Sequence, residues 1–340
     1  MQVVLANGQL VTADPCTNTD LFFALRGGGG GTYGIVVSVT IKAFPEQAVT
    51  AQILQLTPKS TSTTAMVAFT SALNIMYAAY PSLTDAGASG AVQWKVQAAA
   101  PFVAGSSSLT GYQGAMIMFD TQTAFTNAFA PTLANLQALS SNINIVVEYI
   151  PFPTYFSFFN AIGASSTPPS PVGAGSALAS RLLDRNGLSN ATGLANMINT
   201  LIGQPGDQCE VDLEVVGGGM TATTSGQLAV SPGWSTAIVH SIISRAFGVG
   251  TTAAGVDALR TDLTYNRNAA QTALSPNTGA YMNEGDVFDP NFQSNFWGSN
   301  APQLLTIKAK YDPNGIFYCP VCLGSASSTT DGLGRLCTLL

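Results

Sequence analysis

Residues 26–38 read RGGGGGTYGIVVS, five adjacent glycines followed by a sixth at Gly34. Residues without a Cβ lose the most backbone freedom on folding, so a compact chain keeps such a run only where it bends sharply or another group must approach the backbone. A flexible linker is the plain alternative. Linkers, however, are not flanked by an apolar helix-like stretch (NTDLFFALR, 18–26) and a β-branched run (IVVSVTI, 35–41). One substring, Gly29-x-Gly31-x-x-Gly34, matches the dinucleotide-binding fingerprint.

The order of elements rejects that match. In the doubly wound nucleotide fold the glycines follow a strand and open a helix, because the helix N-terminus receives the pyrophosphate. Here they follow a helix, with Asn18 or Thr19 as its cap and Gly27 at its stop, and they open a strand that ends before Pro45. No GxxxxGK[ST] occurs, which removes a P-loop.

Composition excludes other classes. Charged residues are 9% of 340 and the net charge is −6, so no basic patch is available to neutralise phosphates and no nucleic-acid partner is expected. Hydrophobic residues at 46% can fill a large core. No stretch approaches the roughly 18 apolar residues of a membrane span, and no membrane partner is expected. MQVVLANGQLVTAD lacks the basic and apolar regions of a signal peptide and reads instead as a hairpin over 2–12 turning at Asn7-Gly8.

Five cysteines stand at 16, 209, 319, 322 and 337, with His240 the single histidine. Cys319-x-x-Cys322 has no second CxxC or histidine pair to complete a zinc site, so no metal is expected and a structural disulfide or buried thiols are the reading. A sequon, Asn190-Ala191-Thr192, points weakly towards secretion. From residue 48 the pattern alternates: strands at 49–56, 91–99, 111–119, 143–150, 209–217 and 236–243, helices near 62–79, 121–139, 189–203 and 253–273. GASSTPPSPVGAGS (163–176) reads as a loop, a possible lid, and with 81–90 is expected to shape a pocket. A helix is expected over 290–311.

With these pieces in order, the chain resembles the berberine-bridge-enzyme-like branch of the FAD-linked oxidases, whose flavin domain is of the vanillyl-alcohol-oxidase (PCMH) type. The resemblance rests on DLFFALRGGGGGTYGIV (20–36), VDLEVVGGG (211–219), SPGW (231–234), YMNEGD (281–286), then NFWGSN and LLTIKAKYDPNGIFYCPVCLGS, in family order along nearly the whole chain. The SPGW and FYCPVC variants are most similar to fungal members. What it implies is an α+β molecule: part of an FAD domain at 1–46, a substrate domain with a large antiparallel sheet flanked by helices at 47–275, a berberine-like segment returning to the FAD domain at 276–325, and a tail at 326–340.

The same resemblance implies FAD as cofactor, with Gly29, Gly30, Thr32, Gly34 and Ile35 along it and Tyr281 and Asn283 on the isoalloxazine side. The implied chemistry is hydride transfer from a small alcohol, carbohydrate or secondary metabolite to flavin N5, with O₂ as acceptor. Several relatives place a tyrosine base directly after the Y-x-N asparagine; here that residue is Glu284, a base if burial raises its pKa, a solvated turn carboxylate otherwise. Glu214 is the second catalytic candidate, since alternation puts it on one strand face with Asp212. That face is equally readable as the polar side of a half-exposed strand. His240 reads as a sheet or core residue.

Family members also carry, upstream of the hairpin, a pyrophosphate loop and a flavin-linking histidine, for which residues 1–20 hold no counterpart. The resemblance therefore implies an N-terminally truncated member, with weak stability and weak flavin retention, or alternatively a non-catalytic remnant that no longer binds FAD. Low charge, the sequon and family habit imply secretion of the full-length form. Neither the substrate nor the oligomeric state can be read from the sequence.

Overall fold

The computed structural model describes residues 1–98, 109–163, 175–203, 209–223, 226–330 and 336–338. The fold is α+β. In chain order the elements are β1 (Gln2–Val4), β2 (Leu10–Thr12), α1 (Thr19–Ala24), β3 (Ile35–Ser38), β4 (Val49–Pro58), α2 (Thr63–Asp85), β5 (Ala88–Ala98), β6 (Leu109–Met118), α3 (Gln122–Gln137), β7 (Ile143–Phe152) and α4 (Tyr155–Phe158). There follow β8 (Gly175–Asp184), α5 (Arg185–Ser189), α6 (Ala191–Ile202), β9 (Cys209–Val215), β10 (Ala237–Phe247), α7 (Ala253–Asp262), α8 (Asn268–Leu274), α9 (Phe292–Trp297), α10 (Ala301–Tyr311), β11 (Ser328–Thr330) and β12 (Leu336–Thr338).

Seven strands form one antiparallel sheet in the order β7-β4-β6-β5-β9-β10-β8. Its amphipathicity comes from strict alternation. In β9, CEVDLEV, residues 209, 211, 213 and 215 are buried towards the helices while Glu210, Asp212 and Glu214 occupy the opposite face. On the helix side lies α2, started by Ser62, whose hydroxyl accepts from the Ala65 amide. Its stripe of Phe69, Leu73, Met76, Tyr77, Tyr80 and Leu83 joins Trp94, Tyr112, Val211 and Leu213 in the main core. Each such side chain contributes roughly 1.5–3 kcal/mol of transfer free energy. The polar tips are paired: Trp94 Nε1 donates to the Tyr77 hydroxyl at 3.0 Å, and the Tyr80 and Tyr112 hydroxyls are 3.0 Å apart.

A second core gathers the two chain ends: Val3, Leu21, Ala24 and Tyr33 pack with Phe296, Trp297, Leu304 and Ile307. Beside it β1, β2 and β3 form a small sheet in the order β2-β1-β3. Two side chains, Trp297 and Lys308, are among those that tie the ends together. Trp297 Nε1 donates to the Gly27 carbonyl at 3.0 Å, and buried Lys308 donates to the carbonyls of Thr32 (2.7 Å) and Phe317 (2.6 Å) while pairing with Asp312. Gly27 has φ +121°, and a Cβ there would stand 2.6 Å from the Val230 nitrogen, so contact with residues 228–230 requires glycine.

Several expectations change. The helix over 290–311 is two helices, because Gly298 at φ +53° breaks α9 from the Asn300-capped α10. Residues 81–90 are not a loop but the last turn of α2, a glycine turn at Gly87 and the start of β5. The helix at 253–273 is interrupted by one wide turn at Leu263–Arg267. Strand β8 went unforeseen because the Pro/Ser-rich stretch before it reads as a loop; most of that stretch, the supposed lid, lies outside the described residues. The tail at 326–340 holds a short antiparallel pair, β11 with β12. Cys319 and Cys322 form a disulfide, consistent with a structural role. No described helix is long and apolar enough to cross a membrane.

Candidate active site

The outward face of the large sheet carries the chemistry. Antiparallel pairing sets Glu214 of β9 directly opposite His240 of β10, and Asp212 opposite Ile242. His240 Nδ1 and Glu214 Oε2 are 3.0 Å apart. Although it lies on the face away from the main core, His240 is fully buried. Its cover comes from two other segments: the Trp234 ring, 5.6 Å away by centroids, and the Tyr281 ring, edge-on at 5.7 Å. Trp234 and Tyr281 also meet edge-on at 5.6 Å, closing a three-ring cluster.

The turn that carries Tyr281 brings the second carboxylate. In the short helical turn Met282–Glu284, the Glu284 Oε2 atom lies 3.5 Å from His240 Nδ1, buried and without a hydrogen-bond partner among the described residues. Asn283 is exposed, and its amide donates to the Tyr281 hydroxyl at 2.6 Å, which fixes that ring. The two glutamates differ electrostatically. The His240 hydrogen bond holds Glu214 below the usual carboxylate range against an opposing effect of burial. Burial, and next the Glu214 charge, push Glu284 up. Asp212 is also raised by burial, although Gln93 donates to it at 2.6 Å. Asp286, similarly raised, accepts from Thr264 and from the Phe288 amide and stands outside the cluster.

A cavity of about 490 Å³ opens beside this cluster, lined by Met220, Leu228, Val230, Pro232, Trp234 and Tyr281 among others, none of them charged. The structure thus joins both predicted carboxylates and Tyr281, and adds His240. Reading His240 as a sheet or core residue was right about its burial and missed its partners. The available signal was parity: in adjacent antiparallel strands, an acidic face on one lies against a histidine on the other only in one register, which sequence spacing alone does not fix.

The glycine loop sits on the other side of the same turn. The two are close, since a Cβ added at Gly29 would stand 3.4 Å from the Met282 sulfur. Gly30 is exposed with nothing within 4 Å of its Cβ position, and Ile35 is 55% exposed. Thr32 is buried, its hydroxyl donating to the Gly29 carbonyl at 2.9 Å. Gly34 has an internal reason to be glycine, because a Cβ there would meet Val3 Cγ1 at 2.6 Å.

Comparison with known proteins agrees with this architecture. Residues 280–321 match the family described as berberine and berberine like. Over 346 residues the chain is 34% identical to the FAD-linked oxidoreductase apf9 of Gibberella fujikuroi, covering 99% of this chain and 57% of that protein. It is likewise 34% identical to the FAD-linked oxidoreductase hmp9 of Hypomyces subiculosus, covering 99% and 53%. Its fold is similar to that of the VAO-type flavoprotein MtVAO713 from Myceliophthora thermophila C1, with a TM-score of 0.89, 30% identity, and 99% of this chain against 58% of that one. The chain therefore spans a little over half the length of the relatives it matches.

The cofactor implied by these relatives is FAD, and the residues present fit one side of it. The backbone at Gly30 and Gly31 is open, the strand at Ile35, Val36 and Val37 is exposed and apolar, and the uncharged cavity at Tyr281 lies next to the titratable cluster. An uncharged, mostly apolar cavity with few polar groups suits a ring system whose faces need contact more than polar partners.

Proposed function

We propose, for a chain that belongs to the berberine-like branch of the FAD-linked, vanillyl-alcohol-oxidase-type flavoproteins, that Glu214, His240 and Glu284 form the proton-handling group of an alcohol oxidase. Gly29–Gly31 and Ile35, with Tyr281 and Asn283 across from them, would hold the cofactor. When bound, FAD supplies the acceptor for a hydride at N5, and O₂ then accepts the electrons. Everything else asked of the site falls to the chain's own side chains.

Oxidising an alcohol to a carbonyl releases a hydroxyl proton as the carbon-bound hydrogen departs with its electron pair. Glu284 accepts that proton. One observation carries this assignment: the Glu284 side chain is 35% exposed beside the cavity-lining Tyr281, and its buried Oε2 has no hydrogen-bond partner among the described residues, so a substrate hydroxyl meets the carboxylate from its exposed side. A carboxylate whose affinity for protons is raised by burial and by a neighbouring charge is also better matched to work near neutral pH than an ordinary one. Glu214 stays ionised, holds His240 in one orientation and supplies that neighbouring charge. Tyr281 and Trp234 exclude water from the imidazole, while the 490 Å³ cavity, of a size usual for small-ligand sites, receives the substrate's body.

The substrate class is a small alcohol, carbohydrate or secondary metabolite. The test begins with the visible spectrum of the chain after incubation with FAD and gel filtration: retained flavin bands are expected, and a colourless protein refutes cofactor binding by this chain. A panel of small alcohols and oligosaccharides is then screened by peroxide release. With an active compound, Glu284→Gln should slow anaerobic flavin reduction by about 100-fold or more, the usual worth of a general base. A rate within about threefold of wild type would remove Glu284 from the role.

A further inference from the structure

The same three side chains have a second property, independent of any redox chemistry. Glu214 Oε2, His240 Nδ1 and Glu284 Oε2 come from three separate segments and all lie within 4.8 Å of one another. The two separations involving the imidazole are 3.0 and 3.5 Å. In a tetrahedral site with bonds of about 2.0–2.1 Å, ligand atoms stand about 3.3–3.4 Å apart. The two separations from the imidazole already approach that spacing, and the two carboxylates must close on each other within the 4.8 Å bound to complete it. Among the described residues only one of the cluster's pairs is a hydrogen bond: the Glu284 oxygen faces the same nitrogen at 3.5 Å and has no donor there.

We propose that Glu214, His240 and Glu284 constitute a three-ligand binding site for a divalent transition-metal ion of the zinc class, and that its occupation competes with proton transfer at this site. The donor set of one imidazole and two carboxylates suits zinc and its neighbours. A fourth position is open, because both carboxylates are partly exposed, at 44% and 35% of their side chains, whereas the imidazole is sealed. The ion enters from the carboxylate side. It takes the Nδ1 lone pair, so the ring hydrogen that Nδ1 shares with Glu214 shifts to Nε2 and none is lost from the imidazole.

Affinity is limited by the other ring nitrogen. Once the metal holds Nδ1, the imidazole hydrogen must sit on Nε2, which is buried and has no acceptor among the described residues. Ligating histidines normally donate from that position to a carboxylate or carbonyl. The site is therefore one of micromolar strength, suited to reversible inhibition rather than to a resident cofactor. Metal binding does not depend on Glu284 being the catalytic base and is read without substrate, whereas the competition with proton transfer rests on that reading, so either idea can fail alone.

The full chain, free of any affinity tag and alkylated at the exposed Cys16 and Cys337, is titrated with ZnCl₂ against a chromogenic chelator, and with Co²⁺ for visible bands of four-coordinate nitrogen and oxygen ligation. The chain has a single histidine, so ¹⁵N imidazole resonances report His240 alone. One Zn²⁺ per chain is expected, with a Kd on the order of 1–10 µM and a displaced imidazole signal. Glu284→Gln and Glu214→Gln, both partly exposed and expected to fold, should each weaken binding at least about tenfold; Asp257→Asn, exposed on α7, should not change it. Zinc affinity unaltered by both glutamate variants, or imidazole resonances that do not move at saturation, overturns the site. In the flavin-loaded chain zinc should also slow flavin reduction reversibly, with EDTA restoring it.

Discussion

Replacing Gly233 with alanine tests the link between fold and site more directly than any substitution of a reacting group. Gly233 belongs to the SPGW turn, Pro232–Ser235, which presents Trp234 to His240. A Cβ at Gly233 would stand 1.9 Å from the Thr278 carbonyl oxygen, 2.5 Å from its carbon and 2.8 Å from its Cα. All three are backbone atoms, so no side chain can rotate away, and the turn must retreat by about 1.6 Å to restore an ordinary contact of roughly 3.5 Å. That retreat also stretches the buried bond from the Ser231 hydroxyl to the Thr278 carbonyl, now 2.9 Å. Overpacking costs about 1–3 kcal/mol and the strained hydrogen bond about 1 kcal/mol more. At roughly 2 °C per kcal/mol for a chain of this size, Tm should fall by about 4–8 °C. Gly248→Ala, where nothing lies within 4 Å of the Cβ position, should shift it by less than about 2 °C. Scanning calorimetry supplies both values, and hydrogen exchange at residues 238–242 should quicken in Gly233→Ala alone. A Gly233→Ala protein that melts within about 1 °C of wild type would refute the packing argument and with it the claim that this turn seals His240.

Other outcomes follow from the electrostatics. Glu284 has a raised pKa in the fold, so as pH climbs above the ordinary glutamate value of about 4.3 the unfolded chain gains by ionising first; Glu284→Gln should therefore melt higher than wild type at pH 7–8, with the difference vanishing near pH 4. The sign is opposite for Glu214, lowered chiefly by His240: its contribution is complete at neutral pH and disappears as pH falls through its depressed value. His240→Phe should cost about 1 kcal/mol at pH 7, a modest figure because Glu214 is 44% exposed and can rehydrate, and the cost should shrink below about pH 4. Lys308→Met leaves the buried Asp312 carboxylate without its cation and frees the carbonyls of Thr32 and Phe317, so a loss of about 3 kcal/mol by denaturant titration is expected.

The strength of the sequence was local pattern. CEVDLEV alternates so strictly that its two faces are fixed before any partner is known, and NTDLFFALR followed by glycines could only end a helix and begin a strand. Position along the chain was the weakness. Glu214, His240 and Glu284 are 26 and 44 residues apart, and nothing in their spacing specifies that β9 and β10 pair in the register that opposes the first two, or that residues 281–284 dock on the outward face. For the same reason no metal site was legible, since its ligands share no motif. Gly298 was missed for another reason: a single glycine within a helical pattern is tolerated as often as it breaks, and only the approach of its backbone to Pro232 decides which.

A histidine on the face of a sheet that points away from the main core would ordinarily be solvated. His240 is buried because two turns from distant parts of the chain cover it, one carrying Trp234 and one carrying Tyr281. Both turns depend on glycines packed against backbone, Gly233 on Thr278 and Gly279 on the Asn295 carbonyl, 2.3 Å from its Cβ position. The second of these joins the turn to α9 and so to the core that unites the chain ends, where Trp297 bonds Gly27 at the head of the glycine run. Met282, between Tyr281 and Glu284 in the same turn, packs on the second core that also holds Tyr33 at the end of the glycine run, so the turn and the loop share one support. A change that loosens α9 should accordingly disturb the proton affinity of Glu284 and the geometry of the glycine loop together, though it touches neither.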